Sequence, residues 1–92
     1  MPTELEKKFK AKILLFALST CPMCRHVKTL LGEMNVDYEY IDVDLLERAE
    51  KVSAKKEMEK WDSRRPFPML IINHAHCVIG DEPDRIKKAL GL

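Results

Sequence analysis

Two cysteines separated by two residues, in Cys21-Pro22-Met23-Cys24, are the side chains of this sequence best placed to do chemistry. They stand where an apolar run, Ile13 to Leu18, gives way to a helix-periodic segment beginning near Arg25. A helix opens with backbone N–H groups that lack intrahelical partners and with the positive end of its dipole, so a thiolate formed there is stabilised over the thiol. Cys21 is the expected beneficiary. Residues three apart lie on nearly the same helix face, roughly 5 to 6 Å between Cα atoms, which is inside the span a disulfide tolerates. Cys24 can therefore close onto Cys21. Pro22 suits the first turn, where its missing N–H would go unbonded anyway. The pattern predicts an exposed attacking thiol of depressed pKa at Cys21 and a shielded resolving thiol at Cys24, one turn deeper.

The remaining candidates are weaker. Cys77 falls inside an apolar strand pattern, where a free cysteine acts as a small buried hydrophobe. His74, His76 and Cys77 also form a local group of ligand types, and two of them with Cys21 and Cys24 would suit zinc in kind and number, although a hairpin turn should point both histidines into solvent. His26, on the helix that carries the cysteines, is either a surface imidazole or a group that shifts a nearby thiol.

The rest of the chain must position these groups. Its 92 residues suffice for one small domain with a modest core. Sixteen basic against fifteen acidic residues leave it near neutral, without the basic footprint of a nucleic-acid binder. The apolar run after the charged first twelve residues is too short for a membrane span and lacks a following small-residue cleavage site, so a cytoplasmic protein is expected. An odd count of three cysteines does not fit a secreted disulfide framework and agrees with an intracellular redox pair. Residues 1–10 read as a charged N-terminal tail and 11–92 as the folded domain.

Within that domain Ala11 to Leu18 reads as a central strand covered on both faces. Val27, Leu30, Leu31 and Met34 then recur at helical spacing, predicting an amphipathic helix over 21–34 that ends near Asn35. Asp37 to Val43 has strand propensity, and Asp44-Leu45-Leu46-Glu47 has capping-box spacing, so a second helix is expected to run to about Trp61. Leu46, Ala49, Val52, Met58 and Trp61 would be its apolar positions, and the charge run Lys55 to Lys60 a solvated face. Met69 to Ile72 and Cys77 to Ile79, joined by a turn at Asn73 to His76, predict an antiparallel hairpin. Asp81, Glu82 and Asp84 place negative charge at the start of a last helix, whose buried stripe is Ile86, Ala89 and Leu90. The order is β-α-β-α-β-β-α. A right-handed crossover makes the first two strands parallel, with the hairpin on the other side of the first strand and Cys21 at that strand's carboxyl edge.

Over roughly residues 11–92 the sequence resembles the glutaredoxin family. The residues that carry the resemblance are Thr20-Cys21-Pro22-Met23-Cys24, Arg65-Pro66-Phe67-Pro68, and Val78-Ile79-Gly80 leading into the last helix. It implies a thioredoxin-like α/β three-layer sandwich, a four-stranded mixed sheet flanked by helices. It further implies a cis bond before Pro68, with the Phe67 backbone turned toward Cys21 to pair with an extended thiol substrate. Catalytic Cys21 and Cys24 would then be surrounded by substrate-binding Thr20, Pro22, Met23, Arg64, Arg65, Phe67, Pro68, Gly80 and Asp81. Three departures stand out. Leu18 occupies a position where many glutaredoxins have lysine, Phe67 stands where a smaller β-branched residue is usual, and Ile79-Gly80 replaces a more frequent Gly-Gly pair. The resemblance still implies that Arg64 and Arg65 could receive a glutathione carboxylate by bidentate hydrogen bonds and that Asp81 or Glu82 could meet its amino group, the alternative being solvent-exposed loop charge.

The expected activity is thiol–disulfide exchange on protein disulfides, glutathione mixed disulfides or both. No tightly bound cofactor is expected, and the dithiol would be restored by glutathione as co-substrate or by a thioredoxin-reductase-like partner. The protein is expected to act as a monomer, without nucleic acid or membrane. Two readings compete with this one: a metal-binding or iron–sulfur carrier module that uses Cys21 as ligand, and a redox-inactive thioredoxin-like adaptor.

Overall fold

A computed structural model describes residues 13–91, so the expected N-terminal tail and the start of the first predicted strand lie outside the described residues. The elements are β1 (Ile13–Ala17), α1 (Pro22–Glu33), β2 (Glu39–Asp42), a 3-10 turn (Val43–Leu45), α2 (Arg48–Glu59), β3 (Met69–Ile72), β4 (His76–Ile79) and α3 (Pro83–Ala89). The four strands form one mixed sheet in the order β2-β1-β3-β4. β1 pairs parallel with β2 and antiparallel with β3, and β3 pairs antiparallel with β4. The crossover and the placement of the hairpin agree with the sequence reading.

Strand alternation sorts the core into two layers, because successive side chains leave opposite faces of a sheet. Leu14 and Phe16 of β1 join Ile41, Met69 and Ile71 on the face covered by Ala54 and Met58 of α2. Leu15 and Ala17 join Leu70, Ile72 and Val78 on the face covered by Cys24, Val27 and Leu31 of α1 and by Ile86 of α3. The register brings like faces together, with Phe16 level with Met69 and Leu15 level with Leu70. Helices on both faces of one sheet make the three expected layers. No helix among the described residues is long and apolar enough to cross a membrane.

α1 stops where its sequence says it should. Asn35 takes a left-handed φ of 54°, and the Asn35 and Val36 N–H groups donate to Gly32 and Leu31 at 3.1 Å each, which closes the last turn.

The start of α2 differs from the expected capping box. Glu47 is the N-cap but makes no side-chain cap bond, and the four residues before it include a 3-10 turn over Val43–Leu45. Asp44 is drawn away instead by a tertiary partner: its carboxylate accepts the Ser19 backbone N–H at 2.8 Å and the Ser19 hydroxyl. The packed side around α2 agrees with the expected positions at Leu46, Met58 and Trp61 and departs from them at Ala49 and Val52. Ala49 and Val52 are exposed, whereas Ala54 and Met58 are buried with Trp61 packed beside them, a run at i, i+4 and i+7. Glu57, inside the charge run expected to be solvated, is 3% exposed and lies 3.1 Å from the Lys60 ammonium.

Candidate active site

Cys21 is the N-cap of α1. Its backbone is extended (φ −87°, ψ 116°), and its Sγ accepts the Cys24 N–H at 3.2 Å. One of the orphan donors of the first turn is thereby aimed at the sulfur. Pro22 occupies the first helical position, as its missing donor predicts. Cys21 is half-buried, and Cys24, one turn on, is fully buried among the core residues of its layer.

Burial pushes the Cys24 thiol from its ordinary value of 9.0 up to about 12, and the hydrogen bond and charge of Cys21 push the same way. A backbone hydrogen bond involving Leu18 and the charge of Lys28 oppose the rise without cancelling it. The two thiols are thus in contact and unequal, Cys24 remaining protonated across the neutral range. Both are free cysteines here.

Three other segments gather round this helix start. Pro68, buried and preceded by a cis peptide bond, lies immediately before β3, and its carbonyl accepts the Gly80 N–H at 3.2 Å. Gly80 sits at φ +96°, a conformation that disfavours any side chain, and it turns the chain from β4 toward α3. The next residue, Asp81, meets His26 of α1, Oδ2 to Nδ1 at 2.9 Å. The loop between β1 and α1 is held from the far side by Ser19 and Asp44. Phe67 packs half-buried against the core layer that also receives Cys21. Thr20 and Met23 are exposed on either side of Cys21, Met23 to 44%.

The two arginines are exposed but engaged. Arg64 grips Asp62 through Nε to Oδ1 at 3.0 Å and Nη2 to Oδ2 at 2.7 Å, and this pairing holds the Asp62 carboxyl down at about 2. Arg65 Nη1 lies 3.5 Å from Glu59 Oε1. Lys28 reaches Asp42 at 3.0 Å and sits 4.1 Å from the centre of the Tyr40 ring, fastening α1 to β2. His74 and His76 are exposed at the hairpin, and among the described residues no group of three or more His, Cys, Asp or Glu is placed to hold a metal ion.

Cys77 lies in the opposite layer, packed with the α2-facing core and half-buried, its thiol pushed up by burial and by the charge of Asp62. Two engaged pairs escaped the sequence reading. Ser19 with Asp44 was hidden behind a local capping pattern, and His26 with Asp81 joins residues 55 positions apart, for which one sequence carries no signal.

Comparison with known proteins gives a consistent result. A family profile described as Glutaredoxin matches residues 13–77. Glutaredoxin 1 of Rickettsia felis is 32% identical over 72 residues, covering 78% of this chain and 68% of that protein. The crystal structure of methanoredoxin from Methanosarcina acetivorans superposes with a TM-score of 0.85 at 39% identity, covering 89% of this chain and 86% of that one. The structure of a glutaredoxin from Methanosarcina mazei Go1 gives 0.84 at 34% identity, covering 90% and 81%.

Proposed function

The chain belongs to the glutaredoxin family, and from that premise we propose that it reduces disulfides by thiol–disulfide exchange, with Cys21 attacking and Cys24 resolving. The observation that carries this reading is the Cys21 sulfur at the α1 N-cap with the Cys24 N–H directed at it. The Cys21 thiolate attacks one sulfur of the substrate, a mixed disulfide forms, and the first thiol leaves with a proton. Cys24 then gives up its proton and attacks the Cys21 sulfur, releasing the second thiol. Two electrons have passed to the substrate, and Cys21 and Cys24 end as a disulfide.

The contrast between the two thiols supports this order. Two of the causes that raise Cys24 are the hydrogen bond and the charge of Cys21. Both vanish once the Cys21 sulfur is bonded to substrate, so the resolving thiol is released from part of its restraint only when it is needed. The exchange requires no resident metal or organic cofactor. It requires a reductant to restore the dithiol, glutathione as co-substrate or a thioredoxin-reductase-like partner, and our reading is of a monomer that works in a reducing compartment such as the cytoplasm. An extended substrate would lie along the Phe67 backbone beside Cys21, with Thr20, Pro22, Met23, Pro68 and Gly80 lining its path.

The test is turnover of a protein disulfide by wild type, Cys21→Ser and Cys24→Ser. The account expects no turnover in the first variant and an accumulating mixed disulfide on Cys21 in the second. Full activity in Cys21→Ser would overturn it.

A further inference from the structure

Parallel pairing between β1 and β2 keeps one register, from Leu14 with Glu39 to Ala17 with Asp42, and stops where the chain after β1 bends toward the cysteines. Two residues beyond the last pair, at the same offset, stand Ser19 and Asp44. There the Asp44 side chain takes over what the ladder gives up. Its Oδ1 accepts the Ser19 backbone N–H at 2.8 Å, and its Oδ2 accepts the Ser19 hydroxyl. Ser19 is the second residue of a tight turn that the Cys21 N–H closes on the Leu18 carbonyl at 3.2 Å. Cys21, the last residue of that turn, is the N-cap of α1. Asp44 thus grips the link that carries the reactive sulfur, and it does so from a separate element, the 3-10 turn Val43–Leu45. The hydroxyl bond first and the N–H bond second hold its carboxyl below the ordinary carboxylate range, so it is an ionised acceptor at neutral pH. It does not cap α2, whose N-cap is Glu47.

We propose that Asp44 is a positioning residue for exchange at Cys21: by gripping Ser19 through two bonds it fixes the Leu18–Cys21 turn and so keeps the Cys21 sulfur on the Cys24 N–H. The proposal rests on the reductase reading of Cys21 and Cys24. The bonds of Asp44 go to Ser19, so its influence reaches the sulfur through the turn. Without the grip, the turn keeps only its own closing bond, and the sulfur spends less time where it can attack a substrate or be attacked by Cys24. Misplacement of a reacting atom costs rate steeply, so the loss is expected to be about five- to tenfold. A pure charge effect has the opposite sign. A carboxylate near a thiol opposes thiolate formation, and its removal raises the rate.

The experiment is single-turnover reduction of a peptide disulfide by the reduced full chain at pH 7, with protection of Cys24 and Cys77 from iodoacetamide as the check on folding. Asp44→Ala is expected to slow reduction about five- to tenfold with both thiols still protected. Asp44→Asn is equally uncharged but still offers an oxygen to the Ser19 N–H and an amide N–H to its hydroxyl. It is expected to stay within about twofold of wild type. Ser19→Ala keeps the backbone bond and is expected to slow reduction about two- to threefold, adding nothing when combined with Asp44→Ala. Should Asp44→Ala expose Cys24 and Cys77, Ser19→Ala decides, and a wild-type rate there overturns the inference. A rate in folded Asp44→Ala equal to or above wild type, Asp44→Asn as slow as Asp44→Ala, or additive losses in the double variant also overturn it while the reductase reading stands. No reduction by wild type overturns the reductase reading and this inference with it.

Discussion

On one face of the sheet Cys24 packs with Leu15, Ala17, Val27 and Leu31, and on the other Cys77 packs beside Leu14, Phe16, Ile71 and Met58. Burial raises both thiols. Cys24 has a second sulfur one helical turn away at a helix N-terminus, whereas Cys77 packs among strand and α2 side chains and feels the charge of Asp62. Shielding is therefore common to both thiols and does not by itself set one apart for exchange chemistry. What distinguishes the two faces is a neighbouring sulfur at a helix N-terminus, and among the described residues the α1 face alone has one.

The sharpest way to break this comparison is Cys21→Ser, which should reduce disulfide turnover to the uncatalysed background while leaving the fold intact. Next come truncations of matched size on the two faces. Leu31→Ala and Met58→Ala should each cost about 2–5 kcal/mol by denaturant unfolding. Only Leu31→Ala, on the buried face of the helix that carries the cysteines, should also change the rate of Cys21 alkylation.

A smaller effect separates the faces by pH. Folded Cys24 keeps its proton to about 12, whereas the unfolded thiol loses it near 9. The unfolded state therefore binds fewer protons between those values, and stability must fall as pH rises through that window, by roughly a few kcal/mol. Its full contribution is present below the lower value. Comparing wild type with Cys24→Ala isolates this slope from the lysine and tyrosine titrations. The smallest change is Cys77→Ser, expected to lower stability by about 1 kcal/mol with turnover unchanged. An effect of Cys77→Ser on turnover as large as that of Cys24→Ser would erase the distinction between the faces.

The sequence was most legible where one local rule governed one element. The apolar run of β1, the 3.6-residue stripe of α1, Pro22 at its first position and Asn35 at its end all match the structure because no distant group competes for those residues. Legibility failed at Asp44, which fits the local capping pattern but lies beside Ser19 because the parallel strands β1 and β2 end at the same edge. A tertiary hydrogen bond to a backbone N–H won over the local cap. It failed again in α2, where the many charges blurred the helical stripe and Ala54 rather than Val52 turned inward. At the site, the proximity of the two cysteines and the deeper burial of Cys24 followed from spacing. The counter-ions of Arg64, Arg65 and Asp81 did not, since exposed charges find partners through loop geometry.

The most direct test is to map the labelling of all three thiols with iodoacetamide at pH 7 by mass spectrometry over time. The account predicts that Cys21 is labelled first, with Cys24 and Cys77 protected in the folded protein. Labelling of Cys24 or Cys77 at the rate of Cys21 or faster would contradict it.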